Sequence, residues 1–110
     1  MGNTDYTSKE QEDWFERQEP VYRAEARKVL QQLAEKLTDP AEKRYVKGVA
    51  KRYGNLEEAV RYWDRRWDRD EVSRSLWEDV NAVVVEWGCV EDAQDAVKAL
   101  RSRLEENVNA

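Results

Sequence analysis

The chain has 110 residues, enough for one domain that buries its own core without disulfides or metal ions. It carries 24 acidic and 19 basic residues, a net charge of −5, and contains no histidine. Catalytic triads and most transition-metal sites need an imidazole, so we predict a protein that is not an enzyme, with no catalytic residue, metal or cofactor.

The first two helices are predicted from capping residues and from the spacing of apolar residues. Thr7 and Glu10 have the spacing of a capping box, so a first helix begins there and runs to about Gln18. Pro20 suits the first turn of a second helix. The apolar residues of that helix recur at three- and four-residue intervals: Tyr22, Ala26, Val29, Leu30, Leu33 and Leu37.

The third and fourth helices are predicted on either side of a glycine turn. Asp39 is placed to cap a third helix over residues 40–53, and we expect Gly54 to end it in the left-handed conformation. Asn55 follows at once as the cap of a fourth helix, which ends near Trp67.

The fifth and sixth helices complete a sequence in which no long segment alternates with the period of a strand. We expect Asp70 to cap the fifth helix and Gly88 to stop it, and a sixth helix to cover residues 90–106. The sequence therefore predicts an all-α fold, a compact bundle of five or six helices arranged as successive antiparallel helical hairpins.

Location and domain organisation follow from the same sequence. No apolar run approaches the roughly 20 residues that cross a bilayer, and the polar, acidic N-terminal segment is unlike a signal peptide. Cys89 is the single cysteine, which favours a reducing, cytoplasmic setting without a membrane partner. We expect one domain over residues 1–110, with flexible ends at 1–6 and 107–110.

Two segments repeat one pattern at an offset of 34 residues. Residues 53–59 and 87–93 read YGNLEEA and WGCVEDA, which is an aromatic residue, glycine, a polar residue, an aliphatic residue, two acids and alanine. Over residues 40–106 this pattern resembles the tetratricopeptide repeat, a unit of two helices. Trp77, Gly88 and Ala93 fall at the Trp, Gly and Ala positions of that family, whereas Lys43 stands where the first unit would have Trp.

The resemblance implies a protein-interaction scaffold, because members of that family bind extended peptides or helices in a concave groove. With two or three hairpins the groove would be short. Helix capping alone favours a glycine at the helix end and acidic residues at the next helix start, so two unrelated helical hairpins are the alternative.

The residues with the strongest interaction chemistry follow the start of the fourth helix. Trp, Tyr and Arg dominate the energetics of protein interfaces, and residues 62–70 are the densest cluster of these types. Trp63 and Trp67 share the predicted core stripe of the helix. The predicted partner-binding residues are those that point away from it: Tyr62, Arg65, Arg66 and Arg69.

A second candidate surface is basic. Residues 21–54 hold nine basic and four acidic residues, a net charge of +5 in an acidic chain. The third helix should display a cationic ridge that could bind an anionic partner, made of Lys43, Arg44, Lys47, Lys51 and Arg52. The alternatives are that this ridge faces the acidic first and last helices of the same chain, or only water.

From these features we predict a non-catalytic protein-protein interaction module that acts as an adaptor, regulator or inhibitor. Its partner is another protein or a second copy of itself, which would form a homodimer through the fifth and sixth helices. A small, acidic, aromatic-rich chain also resembles phage-type inhibitors of nucleic-acid-binding enzymes or defence complexes, such as anti-CRISPR proteins. A nucleic-acid binder that uses the basic third helix is a further alternative, disfavoured by the acidic pI.

Overall fold

The computed structural model describes residues 8–55, 57–61 and 72–109. Its helices are α1 (Ser8–Arg17), α2 (Glu19–Lys36), α3 (Pro40–Arg52), α4 (residues 57–61, the described part of this helix), α5 (Arg74–Val84) and α6 (Val90–Asn109). No strand occurs in these described ranges. The predicted all-α helical bundle is confirmed.

The first two helices are separated by one residue. The Gln18 amide still donates to the Trp14 carbonyl, at 2.7 Å, and so closes the last turn of α1. Pro20 then interrupts the backbone ladder, because it has no amide proton and its ring clashes with the carbonyl four residues earlier. The predicted boundary between the two helices is confirmed to within a residue.

Two of the predicted caps are confirmed, whereas the left-handed conformation predicted for Gly54 is wrong. The Glu42 amide donates to the Asp39 carboxylate at 2.9 Å, and the Glu58 amide donates to the Asn55 side chain at 3.1 Å. Gly54 does not adopt the left-handed conformation. The turn closes instead through a bond of 2.8 Å from the Asn55 amide to the Arg52 carbonyl, so the backbone passes directly from one helix end to the next cap.

The predicted limits of the fifth helix are also wrong. Its N-cap is Ser73, whose hydroxyl accepts from the Leu76 amide at 3.3 Å, whereas Asp70 lies outside the described residues. The helix ends at Val84, well before Gly88, with Val85 already in extended conformation. Apolar spacing carried the prediction too far, because Trp87 is buried although it lies beyond the helix.

Two pairs of consecutive helices run antiparallel, as the predicted hairpins require. Lys43, in the first turn of α3, donates to the carbonyl of Glu35 near the end of α2, and Tyr53, just after α3, contacts Arg23 near the start of α2. In the other pair, Arg103 near the end of α6 binds Asp79 in α5 at 2.8 Å. The α2 helix is central, since it packs against α1, α3 and α6.

The core lies on the inward faces of these helices. Several large side chains in it are fully buried: Leu30, Leu33, Tyr45, Val46, Val49, Leu76, Val80, Val83 and Leu100. Such residues come from α2, α3, α5 and α6, so these four helices share one continuous apolar core.

The Arg23 side chain joins α2 to the end of α5. Its two terminal nitrogens donate to the carbonyls of Val83 at 2.7 Å and Val85 at 2.9 Å, which are orphan acceptors at the helix terminus. Its guanidinium carbon lies 3.8 Å from the centre of the Trp87 ring. One half-buried cation therefore caps α5, binds an aromatic face and holds the chain where it leaves the helix.

The Tyr53 hydroxyl completes this cluster. It donates to the Val83 carbonyl at 2.6 Å and accepts a bond of 3.2 Å from Arg23. Burial raises the pKa of Tyr53 above its ordinary value of 10.0, although the nearby guanidinium acts in the opposite direction. The hydroxyl is therefore held in its protonated, donating form.

We predict that Arg23→Met lowers the free energy of unfolding by about 2–4 kcal/mol, because it removes charge-assisted bonds to two carbonyls and a cation–π contact. Arg23→Lys should recover only part of this loss, since a single ammonium cannot reproduce the planar fork. Urea unfolding measures both values. Arg74→Met is the matched control: that guanidinium is 74% exposed, so its loss should cost less than about 0.5 kcal/mol. Equal losses in the two Met variants would contradict the role of Arg23.

We predict that Tyr53→Phe costs about 1 kcal/mol at neutral pH, through the lost bond to Val83. Because the pKa is raised on folding, the stabilising effect of the protonated hydroxyl is complete below pH 10 and declines as the pH rises through the folded-state pKa. The difference in free energy of unfolding between wild type and variant should therefore be smaller above pH 10 than at pH 7. Tyr22→Phe serves as the control. A difference between wild type and Tyr53→Phe that does not change with pH would contradict the stabilising role of the protonated Tyr53 hydroxyl.

Candidate functional site

Two adjoining depressions form a furrow along the exposed side of α2. The first, of about 550 Å³, we call the lysine half; it is lined by Arg27, Gln31, Ala34, Glu35, Lys43, Lys47, Ala50 and Lys51. The second, of about 790 Å³, we call the apolar half; it is lined by Glu19, Pro20, Arg23, Ala24, Arg27, Tyr53, Gly54, Glu57, Val60, Val84, Val85 and Glu86. Arg27 borders both halves, so we treat them together as the α2 furrow.

The furrow follows from the helical period of α2. Pro20, Ala24, Arg27, Gln31 and Glu35 recur at three- and four-residue intervals and so lie on one face of the helix. From Pro20 to Glu35 this face covers sixteen residues, and the rise between the first and the last is about 22 Å along the axis. The opposite side of α2 is buried in the core, so this face is turned away from it.

The lysine half has cationic walls and a floor of small residues. Lys43, Lys47 and Lys51 are exposed and recur every four residues, so they project from one face of α3 at a spacing of about 6 Å. The floor is formed by Ala34 and Ala50, whose methyl groups keep the depression open. Arg27 adds a fourth cation from the opposite wall.

The lysines of this half are not neutralised by nearby carboxylates. Lys43 donates to the Glu35 main-chain carbonyl at 3.2 Å, which leaves its charge without a carboxylate partner in that contact. Within the described ranges, no ion pair joins Lys47 or Lys51 to an acidic side chain. The local potential is therefore positive, although the whole chain carries a net negative charge.

Three of the five residues predicted for the cationic ridge thus line the furrow. Arg52 does not: its guanidinium binds Glu58 at 3.3 Å and the Gly48 carbonyl at 3.2 Å. Arg44 is exposed but lies outside the lining of the furrow. Arg27 is the residue that the sequence analysis missed, because its place opposite the lysines depends on how α2 packs against α3.

The apolar half lies at the other end of the furrow, beside the Arg23 cluster. Val60 and Val85 contribute aliphatic surface, and Val85 remains 39% exposed, whereas Val84 beside them is buried in the core. The polar groups in its wall are engaged inside the protein, since Arg23 and the Tyr53 hydroxyl bind main-chain carbonyls. Three acidic residues stand along this half: Glu19, Glu57 and Glu86. The two halves therefore differ in both polarity and charge.

The predicted cluster of Tyr62, Arg65, Arg66 and Arg69 lies outside the described residues. It stays a prediction, and so does the tetratricopeptide-like repeat, because the helix that would complete its first unit is described only at residues 57–61.

Neither a metal-binding group nor a membrane-spanning helix occurs among the described residues. In the described ranges, no three Cys, Asp or Glu side chains are grouped so that they could hold a metal ion. Cys89 is half-buried, and its carbonyl accepts from the Ala93 amide at 3.3 Å in the first turn of α6. Among the helices that the structure describes, none is long and apolar enough to cross a membrane.

Comparison with protein-family models, with curated proteins and with solved structures returned no match.

Proposed function

We propose that this chain is a non-catalytic protein-interaction module that binds an acidic region of another protein through the lysine half of the α2 furrow. The observation that carries this proposal is the set of four cations around one depression that also holds the single acidic residue Glu35 among its described lining; Lys47 and Lys51 form no ion pair with an acidic side chain of the described ranges. Such a surface attracts an anionic partner and orients it by charge.

A protein partner is favoured over a nucleic acid by what lines the furrow. Base recognition in single strands uses aromatic side chains as stacking platforms, and the lysine half has none among its lining residues. A long polyanion would also meet the carboxylate of Glu86 in the adjoining half, where like charges repel it, whereas Glu19 and Glu57 there are paired with Arg23 and Arg61. A short acidic segment of a protein can bind the lysine half without extending into the adjoining half, which a long polyanion cannot avoid.

The remaining parts of the proposal concern the mode of action, self-association and the cellular setting. A regulator or inhibitor that imitates nucleic acid would need a uniform negative surface, whereas Arg74 and Arg103 pair with acidic residues on α5. Self-association through α5 and α6 draws support from Trp77 and Leu104, which are only partly buried at the edge of the core. A reducing, cytoplasmic setting remains part of the proposal, because Cys89 is the single cysteine.

We predict that Lys43→Glu/Lys47→Glu/Lys51→Glu abolishes retention of the partner when the tagged protein is incubated with lysate of its own host. The reversal replaces attraction by repulsion at three neighbouring positions on one helix face. Mass spectrometry should show a protein that is held by the wild type, released by added salt and absent with the variant.

The matched control is Lys9→Glu/Lys36→Glu/Lys98→Glu, which changes the net charge equally at exposed positions outside the furrow. This control should retain the partner, and thermal unfolding should confirm that both triple variants fold. Equal retention by wild type and the furrow variant would refute the proposed surface. Recovery of nucleic acid instead of protein would replace it by the nucleic-acid alternative.

A further inference from the structure

We infer that the element bound in the α2 furrow is an amphipathic α-helix of about 15 residues, with carboxylates at four-residue spacing in one half and aliphatic side chains in the other. This inference rests on the proposed function and specifies the chemistry of its partner. Three features of the furrow carry it: its length, the spacing of its charges and the state of its polar groups.

The length of the furrow suits a helix. It extends about 22 Å along α2, the length of four helical turns. The two halves adjoin at Arg27, which lines both of them, so a single rigid element laid along α2 can contact both. A helix that lies along α2 and α3 would pack as helices pack against each other, with the small residues Ala34 and Ala50 beneath it.

The spacing of the charges matches a helix as well. Lys43, Lys47 and Lys51 recur every four residues, at intervals of about 6 Å along α3. Carboxylates that recur every four residues on a second helix have the same interval, so three ion pairs form in one register. An extended peptide matches this register less well, because its side chains on one face repeat at about 6.6 Å and the strand twist turns successive ones away from the lysines.

The apolar half disfavours a peptide bound as an added β-strand. Such a strand needs main-chain partners, and the described part of the protein has no sheet edge to supply them. Arg23 and Tyr53 are occupied by the carbonyls of Val83 and Val85 and are not offered to a ligand. A helix satisfies its own backbone and presents only side chains, which suits the aliphatic surface of Val60 and Val85.

The test uses a synthetic helical peptide of about 18 residues with three glutamates at four-residue spacing in its first half and leucines on the same face in its second half. Isothermal titration of the full chain should show saturable, salt-sensitive binding of one peptide. A peptide of identical composition, with the glutamates distributed around the helix, should bind at least about tenfold more weakly, because only one of its carboxylates reaches the lysines at a time.

Variants of the protein then test each half against a matched control. Lys47→Glu should weaken binding on the order of tenfold, whereas Lys98→Glu on α6 should leave it unchanged. Val85→Asn should weaken it on the order of fivefold through lost apolar burial. Val21→Asn is the control for this change, since Val21 is 60% exposed but borders neither half. Urea unfolding of each variant separates lost binding from lost folding.

Several outcomes would overturn the inference. The first is that no saturable binding occurs up to about 1 mM peptide. The second is that the peptide with redistributed glutamates binds equally well. The third is that neither Lys47→Glu nor Val85→Asn changes the affinity for the designed peptide. Tighter binding of single-stranded DNA than of the designed helix would assign the furrow to a nucleic acid.

If the helix fails while the triple lysine variant still loses its cellular partner, the proposed function stands and only the form of the partner is wrong. If the triple variant also keeps that partner, both the proposed binding surface and the proposed bound helix are wrong.

Discussion

The guanidinium of Arg23 occupies the point where α2, the end of α3 and the end of α5 meet. A helix terminus leaves its last carbonyls without partners, and burying them unpaired would cost more than most single contacts supply. Arg23 binds two of these carbonyls with one planar fork and stacks on Trp87, so the terminus can be placed against α2. The arrangement of the helices around α2 depends on this interaction.

The same interaction shapes the candidate binding surface. Because Arg23 takes the carbonyls of Val83 and Val85, the chain leaves the helix at Val84 in extended form and turns Trp87 inward. Val85 is then left exposed beside α2 as part of the aliphatic wall of the furrow. Stability and binding therefore depend on the same side chain. Arg23 caps the end of α5, and it also keeps the carbonyls of Val83 and Val85 bonded within the protein.

Much of the fold could be predicted from local chemistry, whereas the site could be predicted only in part. Helical periodicity and the caps Asp39 and Asn55 act over a few residues, so they place α2, α3 and the start of α4 correctly. The end of α5 was missed because Arg23, sixty residues earlier, decides it. The lysines of α3 were found from their spacing. Arg27 was not, since a residue on the opposite wall is defined only by tertiary packing.

The most direct test of this account is to map the bound helix on the full chain by nuclear magnetic resonance, residue by residue. The amide signals of Ala24, Lys47 and Val85 lie at separate points of the furrow and should all shift together as the designed peptide is added. Signals on the exposed side of α6, such as that of Lys98, should stay in place. Shifts confined to α6, or to the lysine half without Val85, would contradict a helix bound along the whole furrow.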